Sequence, residues 1–119
     1  MTTVHALNQH TFTSSIHQEG IVLVDFWADW CRPCRAFAPV FEGTAAEYPE
    51  ITFASVDTEA ELALASAAKI TSIPTLMAFR DGVLVYSRSG ALAPTELHEL
   101  IQSVKTLDMS EVRAKLASG

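Results

Sequence analysis

The seven residues Ile21–Trp27 constrain the fold of this chain more than any other stretch. All of them except Asp25 are apolar, and three are β-branched. A strand with one face in solvent would alternate apolar and polar residues, so this run predicts a strand that is buried on both faces. Covering both faces requires helices on each side of a sheet, which predicts a layered α/β domain.

Short apolar runs alternate with helical patterns along the rest of the chain. Further strands are predicted at residues 4–7, 51–56, 75–79 and 83–86. Helices are predicted at residues 11–18, 31–48, 58–68 and 94–104. Asp81-Gly82 supplies turn chemistry between the last two strands, and Thr58 with Glu61 has the spacing of a capping box at the start of the third helix. The resulting order is β-α-β-α-β-α-β-β-α.

The composition narrows the class of protein. The 119 residues are 49% hydrophobic and 18% charged, which suits one domain with its own core and excludes a disordered chain. The net charge of −6 argues against sequence-independent binding to nucleic acid or anionic lipid. No apolar run approaches the roughly 18 residues that a membrane span needs, and residues 1–5 show no secretory signal. We therefore expect a cytoplasmic protein that binds neither nucleic acid nor membrane.

The segment Trp-Cys-Arg-Pro-Cys at residues 30–34 carries the chemistry, and it follows the buried strand directly. Cys31 and Cys34 can close a small disulfide ring with little rearrangement of the chain. Such a ring closes almost no loop and therefore stabilises the fold very little. The spacing is better explained by a bridge that opens and closes than by a structural bridge.

The position of the pair at a predicted helix start supports the same interpretation. Unpaired backbone N–H groups and the positive end of the helix dipole favour a thiolate there. The thiolate is the attacking species in disulfide exchange. Arg32 and Arg35 add two cations beside Cys31, and Trp30 offers a rigid apolar wall on which a partner can dock.

Three other interpretations of the cysteine pair stay open at this point. The cysteines can be buried structural residues, or a thiol pair that transfers a metal ion. They can also be half of a zinc site, which would need two further ligands. The candidate ligands are His5, His10, His17 and His98. No two of these histidines have finger-like spacing, so we expect no metal site within one chain.

Two further residues suggest chemistry and each has a plain structural alternative. Asp25 lies within the most apolar strand, so burial should raise its carboxyl pKa and suit it to accept a proton. Alternatively, Asp25 only meets a hydrogen-bond partner. Pro74 precedes another apolar strand, where it either starts that strand or forms a cis peptide that turns backbone groups toward a ligand.

Taken together, these residues resemble the thioredoxin family. The matches occur in family order and at family spacing from about Phe12 to Val104. The matching segments are residues 24–34, Ala38-Pro39, Val56-Asp57, Ile73-Pro74-Thr75-Leu76, Asp81-Gly82 and Ser89-Gly90-Ala91.

The resemblance implies the thioredoxin fold, a mixed five-stranded sheet in the order 1-3-2-4-5 flanked by four helices. It implies a cis peptide before Pro74 that lies against the cysteine pair. Ile73, Thr75, Gly90 and Ala91 would border the surface that holds an extended substrate chain through strand-like backbone bonding. The thioredoxin domain is predicted at residues 1–107.

The resemblance also implies an activity and partners. Cys31 would attack a protein disulfide, Cys34 would resolve the mixed disulfide, and Asp25 would accept the Cys34 proton. Pro33 would restrict the loop, and Trp30 with Pro74 would shape the docking surface. The chain itself would hold no cofactor and would act as a monomeric electron carrier, re-reduced by an NADPH-dependent flavoprotein, a thioredoxin reductase. The alternative function is a binding module or partner subunit in which redox turnover is incidental.

Three features depart from the family pattern. Arg32 stands where the family usually has glycine, which affects the reduction potential and the choice of partner. Ser55 stands where a lysine often lies near the buried carboxyl. Residues 108–119 form a short extension in which Met109, Val112 and Leu116 have the one-face spacing of a helix packed on the domain, although a frayed tail is the alternative.

Overall fold

A computed structural model describes residues 4–118, and within them the chain forms five strands and five helices. The strands are β1 (Val4–Ala6), β2 (Ile21–Trp27), β3 (Thr52–Asp57), β4 (Thr75–Arg80) and β5 (Val83–Ser89). The helices are α1 (Phe12–Ile16), α2 (Arg32–Glu47), α3 (Leu62–Ala67), α4 (Pro94–Lys105) and α5 (Met109–Ser118). Residues 1–3 and 119, which belong to the predicted domain and its extension, lie outside the described residues.

The sheet has the strand order β1-β3-β2-β4-β5, which confirms the predicted topology. Strands β1 and β2 are parallel to β3, whereas β4 is antiparallel to both β2 and β5. The most apolar run therefore becomes the central strand, because β2 has neighbours on both edges and is covered on both faces. Four helices belong to the predicted fold, and the fifth, α5, is the predicted alternative of a helix in the C-terminal extension.

Alternation along β2 sends its side chains into two separate cores. Leu23 packs on the face covered by α2 and α4, whereas Val24 and Phe26 pack with Leu64 of α3 on the opposite face. Asp25 has the same parity as Leu23 and so points toward α2. The regular alternation of one strand thus delivers a carboxyl group to the helix that begins beside the cysteines.

The turn between β4 and β5 forms as predicted. Asp81 and Gly82 both have positive φ angles, 52° and 84°. Two consecutive positive φ values match the twist of a two-residue hairpin and explain the Asp-Gly sequence, because glycine adopts this conformation without steric cost.

The predicted capping box at Thr58 and Glu61 is wrong. The hydroxyl of Thr58 donates instead to the carbonyl oxygen of Trp27 at 3.0 Å, and a Glu61 carboxylate oxygen accepts from the backbone N–H of Gln9 at 3.1 Å. Helix α3 consequently begins only at Leu62. Both side chains have remote partners, so neither is available to cap the helix.

The C-terminal extension is a helix that is anchored at its start. Met109 is buried, and Val112 is half-buried. Leu116 is 62% exposed, so the prediction that all three residues share one packed face is wrong for Leu116. Arg80 Nη1 donates to the carbonyl oxygens at the junction between α4 and α5, which belong to Val104, Lys105 and Leu107, over distances of 2.8, 3.1 and 2.9 Å.

Deleting residues 108–119 should lower the melting temperature by several degrees and leave disulfide turnover unchanged. The deletion exposes the surface under Met109, which costs about 1–2 kcal/mol in the free energy of unfolding. Met109→Ala should reproduce most of this loss, whereas Leu116→Ala should not, because Leu116 is exposed. Thermal denaturation followed by circular dichroism measures the difference, and equal melting temperatures for all the variants would show that α5 adds no stability.

None of the helices within residues 4–118 combines the length and the apolar character needed to cross a membrane.

Candidate active site

Cys31 and Cys34 form a disulfide at the N-terminus of α2. Their Cα atoms are 5.2 Å apart. Cys31 is the N-cap residue, and its Sγ accepts a hydrogen bond from the backbone N–H of Cys34 at 3.3 Å. The predicted helix start is confirmed with Cys31 as its cap, and Pro33 lies in the first turn, where proline suits a helix. In the reduced protein, this hydrogen bond and the helix dipole stabilise negative charge on the sulfur of Cys31.

A loop that is remote in sequence closes over the pair. The peptide bond between Ile73 and Pro74 is cis, as the resemblance implies, and Pro74 is buried. The carbonyl oxygen of Ile73 lies 3.7 Å from Cys31 Sγ. The backbone N–H of Gly90 donates to the carbonyl oxygen of Pro74 at 2.8 Å, which ties the end of β5 to the same loop. The loop and the cysteine pair therefore form one surface.

That surface contains an open groove of about 510 Å³ that reaches Cys31 but not Cys34. The lining residues are Trp30, Cys31, Arg32, Pro33, Thr58, Ala65, Ile70, Thr71, Ser72 and Ile73. Trp30 is 67% exposed, and its indole N–H donates to a carboxylate oxygen of Glu59 at 3.3 Å. This bond fixes the ring as one wall of the groove.

The other predicted docking residues lie at or near the same end of the sheet but differ in exposure. Gly90 and Ala91 are exposed. Thr75 is buried, and its hydroxyl donates to the carbonyl oxygen of Ser72 at 2.6 Å. The buried side chain of Thr75 therefore stabilises the loop before Pro74 through this hydrogen bond and does not itself face a partner.

A second cavity, of about 240 Å³, reaches Cys34 but not Cys31 and holds the carboxyl group of Asp25. Asp25 is only 4% exposed, and its Oδ1 has no hydrogen-bond partner. Burial raises the pKa of Asp25 from 3.8 to about 7, which confirms the predicted direction. The cavity, which both Asp25 and Cys34 line, is large enough to hold water.

The charge environment of Asp25 differs from that of a salt-bridged carboxylate. Ser55 lies opposite Asp25 in the β2–β3 register, so no cation occupies that position. Within the described range of the chain, Asp25 forms no ion pair. Arg35 and Glu42 of α2 also line its cavity, and both are exposed. Desolvation therefore dominates the ionisation of Asp25.

Sequence reasoning named some of the residues that line these two cavities, Trp30, Arg32, Arg35 and Ile73 among them, but did not assign most of the others to the site. Arg35, Ala38, Phe41 and Glu42 follow Cys34 at helical spacing along one face of α2, so this periodicity was the available signal. Thr58 was interpreted as a helix cap, and no local pattern marks residues 70–72 as the far wall of the groove.

The described residues contain no group of three or more His, Cys, Asp and Glu side chains that could hold a metal ion. His98, one of the candidate zinc ligands, bonds instead to the hydroxyl of Tyr48 and to a Glu47 carboxylate oxygen, each at 3.0 Å.

Comparisons with known proteins point to one family. The thioredoxin family model matches residues 3–103. A putative thioredoxin 2 of Streptomyces coelicolor is 44% identical over 117 residues, which cover 98% of this chain and 87% of that relative. A thioredoxin of Chlamydia trachomatis is 40% identical over 98 residues, covering 82% of this chain and 95% of that relative. The solved structure of a Malassezia sympodialis thioredoxin superposes with a TM-score of 0.77 at 27% identity, covering 87% of this chain and 92% of that one.

Proposed function

The chain belongs to the thioredoxin family and is a thiol-disulfide oxidoreductase, and we propose that it reduces disulfides in other proteins. One observation carries the proposal. The two cysteines of one disulfide face different surroundings, an open groove at Cys31 and a buried acid at Cys34. A structural disulfide does not require different surroundings for its two cysteines. Disulfide exchange in two steps does require them, because one cysteine must meet the target and the other must lose a proton.

In the first step, the thiolate of Cys31 attacks one sulfur of the target disulfide. The target S–S bond breaks, its other sulfur leaves as a thiolate that takes up a proton, and a mixed disulfide forms at Cys31. The groove supports this order because Cys31 lines it and Cys34 does not.

In the second step, Cys34 loses its proton to Asp25, directly or through a water in their shared cavity. The Cys34 thiolate attacks the sulfur of Cys31, and the mixed disulfide breaks. The second target sulfur leaves as a thiolate that takes up the proton held by Asp25, directly or through solvent, so the target is released as a dithiol. The protein keeps the Cys31–Cys34 disulfide, and two electrons have passed to the target. A base with a pKa of about 7 suits this transfer, because it is ready to accept a proton at neutral pH.

The surrounding residues have supporting roles in this proposal. Pro33 restricts the first turn of α2, while Trp30 and Pro74 shape the docking surface. An extended segment of the target would bond to the backbone at Ile73 and Thr75, with Gly90 and Ala91 at the border, as an added strand does at a sheet edge.

The disulfide left after each turnover must be reduced again by another protein. We assign this step to a thioredoxin reductase, a flavoprotein that draws electrons from NADPH, and this chain needs no cofactor of its own. We propose that the protein acts as a monomer, because one chain supplies both cysteines and Asp25. We also propose that it acts in the cytoplasm, because a reducing compartment keeps the cysteine pair ready to donate electrons.

Reduction of insulin disulfides tests the proposal. The protein should accelerate precipitation of the insulin B chain well above the rate with dithiothreitol alone, and a thioredoxin reductase with NADPH should sustain the reaction without dithiothreitol. A rate equal to that of dithiothreitol alone would favour the binding-module alternative, in which turnover is incidental.

Arg32→Gly should lower the reduction potential modestly. The guanidinium of Arg32 stabilises the Cys31 thiolate of the reduced form, whereas the disulfide form has no charge to stabilise, so removing the cation makes the protein harder to reduce. Arg32 is exposed, and solvent screening keeps the change on the order of 10 mV. Equilibration with glutathione measures the potential.

Thiolate absorbance of the reduced protein gives a second readout. At a fixed pH it should be lower in Arg32→Gly, and the difference should shrink at high salt. Equal absorbance in both proteins at low salt would show that Arg32 does not act on Cys31.

A further inference from the structure

We propose that Arg32 selects target disulfides that carry an aspartate or glutamate within two residues of the attacked cysteine. This inference rests on the proposed reduction of protein disulfides and names the class of target that the same groove prefers. The specificity arises from a single charged side chain beside the reactive sulfur.

The groove is otherwise uncharged. Among the residues that the structure describes around it, the side chains other than Arg32 are apolar or hydroxyl-bearing, apart from the reactive Cys31. Backbone bonding to an extended partner reads no sequence, because every residue offers the same N–H and C=O groups. Among these lining side chains, only Arg32 attracts a carboxylate more strongly than an amide, and the Glu59 carboxylate held by Trp30 acts in the opposite sense.

Arg32 is also free to bind a partner. Arg80, Lys105 and Arg113 are engaged with carbonyl oxygens or carboxylates of the chain. Arg32 is exposed and has no hydrogen bond or ion pair through its side chain anywhere in residues 4–118. The acidic residue Glu59 accepts the indole N–H of Trp30 and does not pair with Arg32. A partner carboxylate therefore displaces only water from Arg32.

The length of the Arg32 side chain determines which residues of the target its guanidinium can contact. Arg32 adjoins Cys31 in the chain, so the two Cα atoms are about 3.8 Å apart. An extended partner advances about 3.3 Å per residue, and the arginine side chain spans roughly two such steps. A carboxylate one or two residues from the attacked cysteine thus falls within reach of the guanidinium.

The negative charge of the rest of the chain means that only a close contact between Arg32 and a partner carboxylate can favour an acidic target. With a net charge of −6, the protein as a whole repels an acidic partner at long range. Preference for a carboxylate therefore has to come from a close contact, and it should weaken as salt is added.

Symmetric peptide disulfides test the inference. Each is a dimer of one short peptide with a single cysteine, and each carries either Glu or Gln at one position from two residues before the cysteine to two residues after it. Stopped-flow tryptophan fluorescence gives the rate at which the reduced protein cleaves each disulfide. The Glu-to-Gln rate ratio is then divided by the same ratio for dithiothreitol, which removes the effect of Glu on thiol reactivity.

The corrected ratio should be about two- to fivefold at low ionic strength for at least one position, the range of an exposed ion pair. It should fall toward one at high salt and in Arg32→Gln. Arg35→Gln is the matched control, because Arg35 is an exposed cation on the same helix that lines the Asp25 cavity instead. The ratio should persist in that variant.

A ratio of one in the unmodified protein at every position would overturn the inference, as would an equal loss of preference in Arg32→Gln and Arg35→Gln. These outcomes leave the proposed reductase function intact, since the peptides are still cleaved. If no peptide is cleaved above background while insulin is also spared, both the inference and the proposed function fail.

Discussion

Insulin disulfides should be reduced no faster by Cys31→Ser than by dithiothreitol alone, whereas Cys34→Ser should stop after one step with the target still attached. A serine hydroxyl stays protonated at neutral pH and cannot replace the thiolate of Cys31. Without Cys34 the attack at Cys31 still proceeds, but nothing resolves the mixed disulfide. Mass spectrometry of non-reduced samples should find about one equivalent of adduct in Cys34→Ser and none in Cys31→Ser.

The separation of the two cysteines between the groove and the cavity at Asp25 predicts this difference. Adduct that accumulates in Cys31→Ser instead would reverse the assigned roles. Both variants should melt within a few degrees of the reduced protein, because the bridge closes too short a loop to add much stability. A large loss of melting temperature would assign the lost turnover to unfolding.

Asp25→Asn should make the protein more stable at pH 8 and should remove most of the pH dependence of stability between about pH 4 and 7. The pKa of Asp25 is about 7 in the folded protein, above its ordinary value of 3.8. Between these values the folded protein holds a proton that the unfolded chain has lost, so the contribution of Asp25 to stability is greatest below about pH 4 and falls as the pH rises to 7. Above pH 7 the buried carboxyl of Asp25 is charged, and its cost to the free energy of unfolding no longer changes with pH.

The difference between the two pKa values corresponds to at most about 4 kcal/mol, which can raise the melting temperature of Asp25→Asn at pH 8 by more than 10 °C. At pH 4 the carboxyl of Asp25 is neutral, and the two proteins should melt at similar temperatures. Urea denaturation of the oxidised proteins at pH 4, 6 and 8 measures the effect. If the free energies of unfolding of the two proteins differ by the same amount at pH 4, 6 and 8, Asp25 is not protonated in the folded protein at pH 6.

The same variant should slow the resolving step by about a hundredfold, a typical loss for a general base, and slow the first attack much less. The inflection near pH 7 in the rate of resolution should disappear. Glu42→Gln is the matched control, because it changes another carboxylate that lines the same cavity. That variant should keep the inflection, since Glu42 is exposed rather than buried. A resolving step as fast in Asp25→Asn as in the unmodified protein would remove Asp25 from the mechanism.

Local patterns predicted most elements because the forces behind them act between neighbours in the chain. The apolar run of β2 and the Asp-Gly turn both formed where they were expected. The predicted cap of α3 failed for the opposite reason. Thr58 and Glu61 have suitable spacing, but Glu61 bonds to a backbone N–H that is 52 residues away. A short-range pattern cannot show that a remote partner competes for the same side chain.

Leu116 illustrates the same limit in a helix. Its spacing from Met109 and Val112 matches a single packed face, yet α5 is anchored mainly at its start by Met109 and by Arg80 at the preceding junction. Helical spacing shows which side chains share a face. It does not show how far along the helix the rest of the domain extends to cover that face.

The sequence by itself determined the chemistry of the site. It placed two cysteines at a helix start, set a carboxyl in an apolar strand, and predicted from the burial of both faces of that strand that desolvation would perturb this acid. These properties depend on spacing within a few residues. Only the tertiary structure brought the carbonyl oxygen of Ile73 within 3.7 Å of Cys31, across 42 residues of chain, and divided the cysteines between a groove and a cavity. The relative placement of distant elements is set by how their apolar faces pack, and no local propensity encodes that placement.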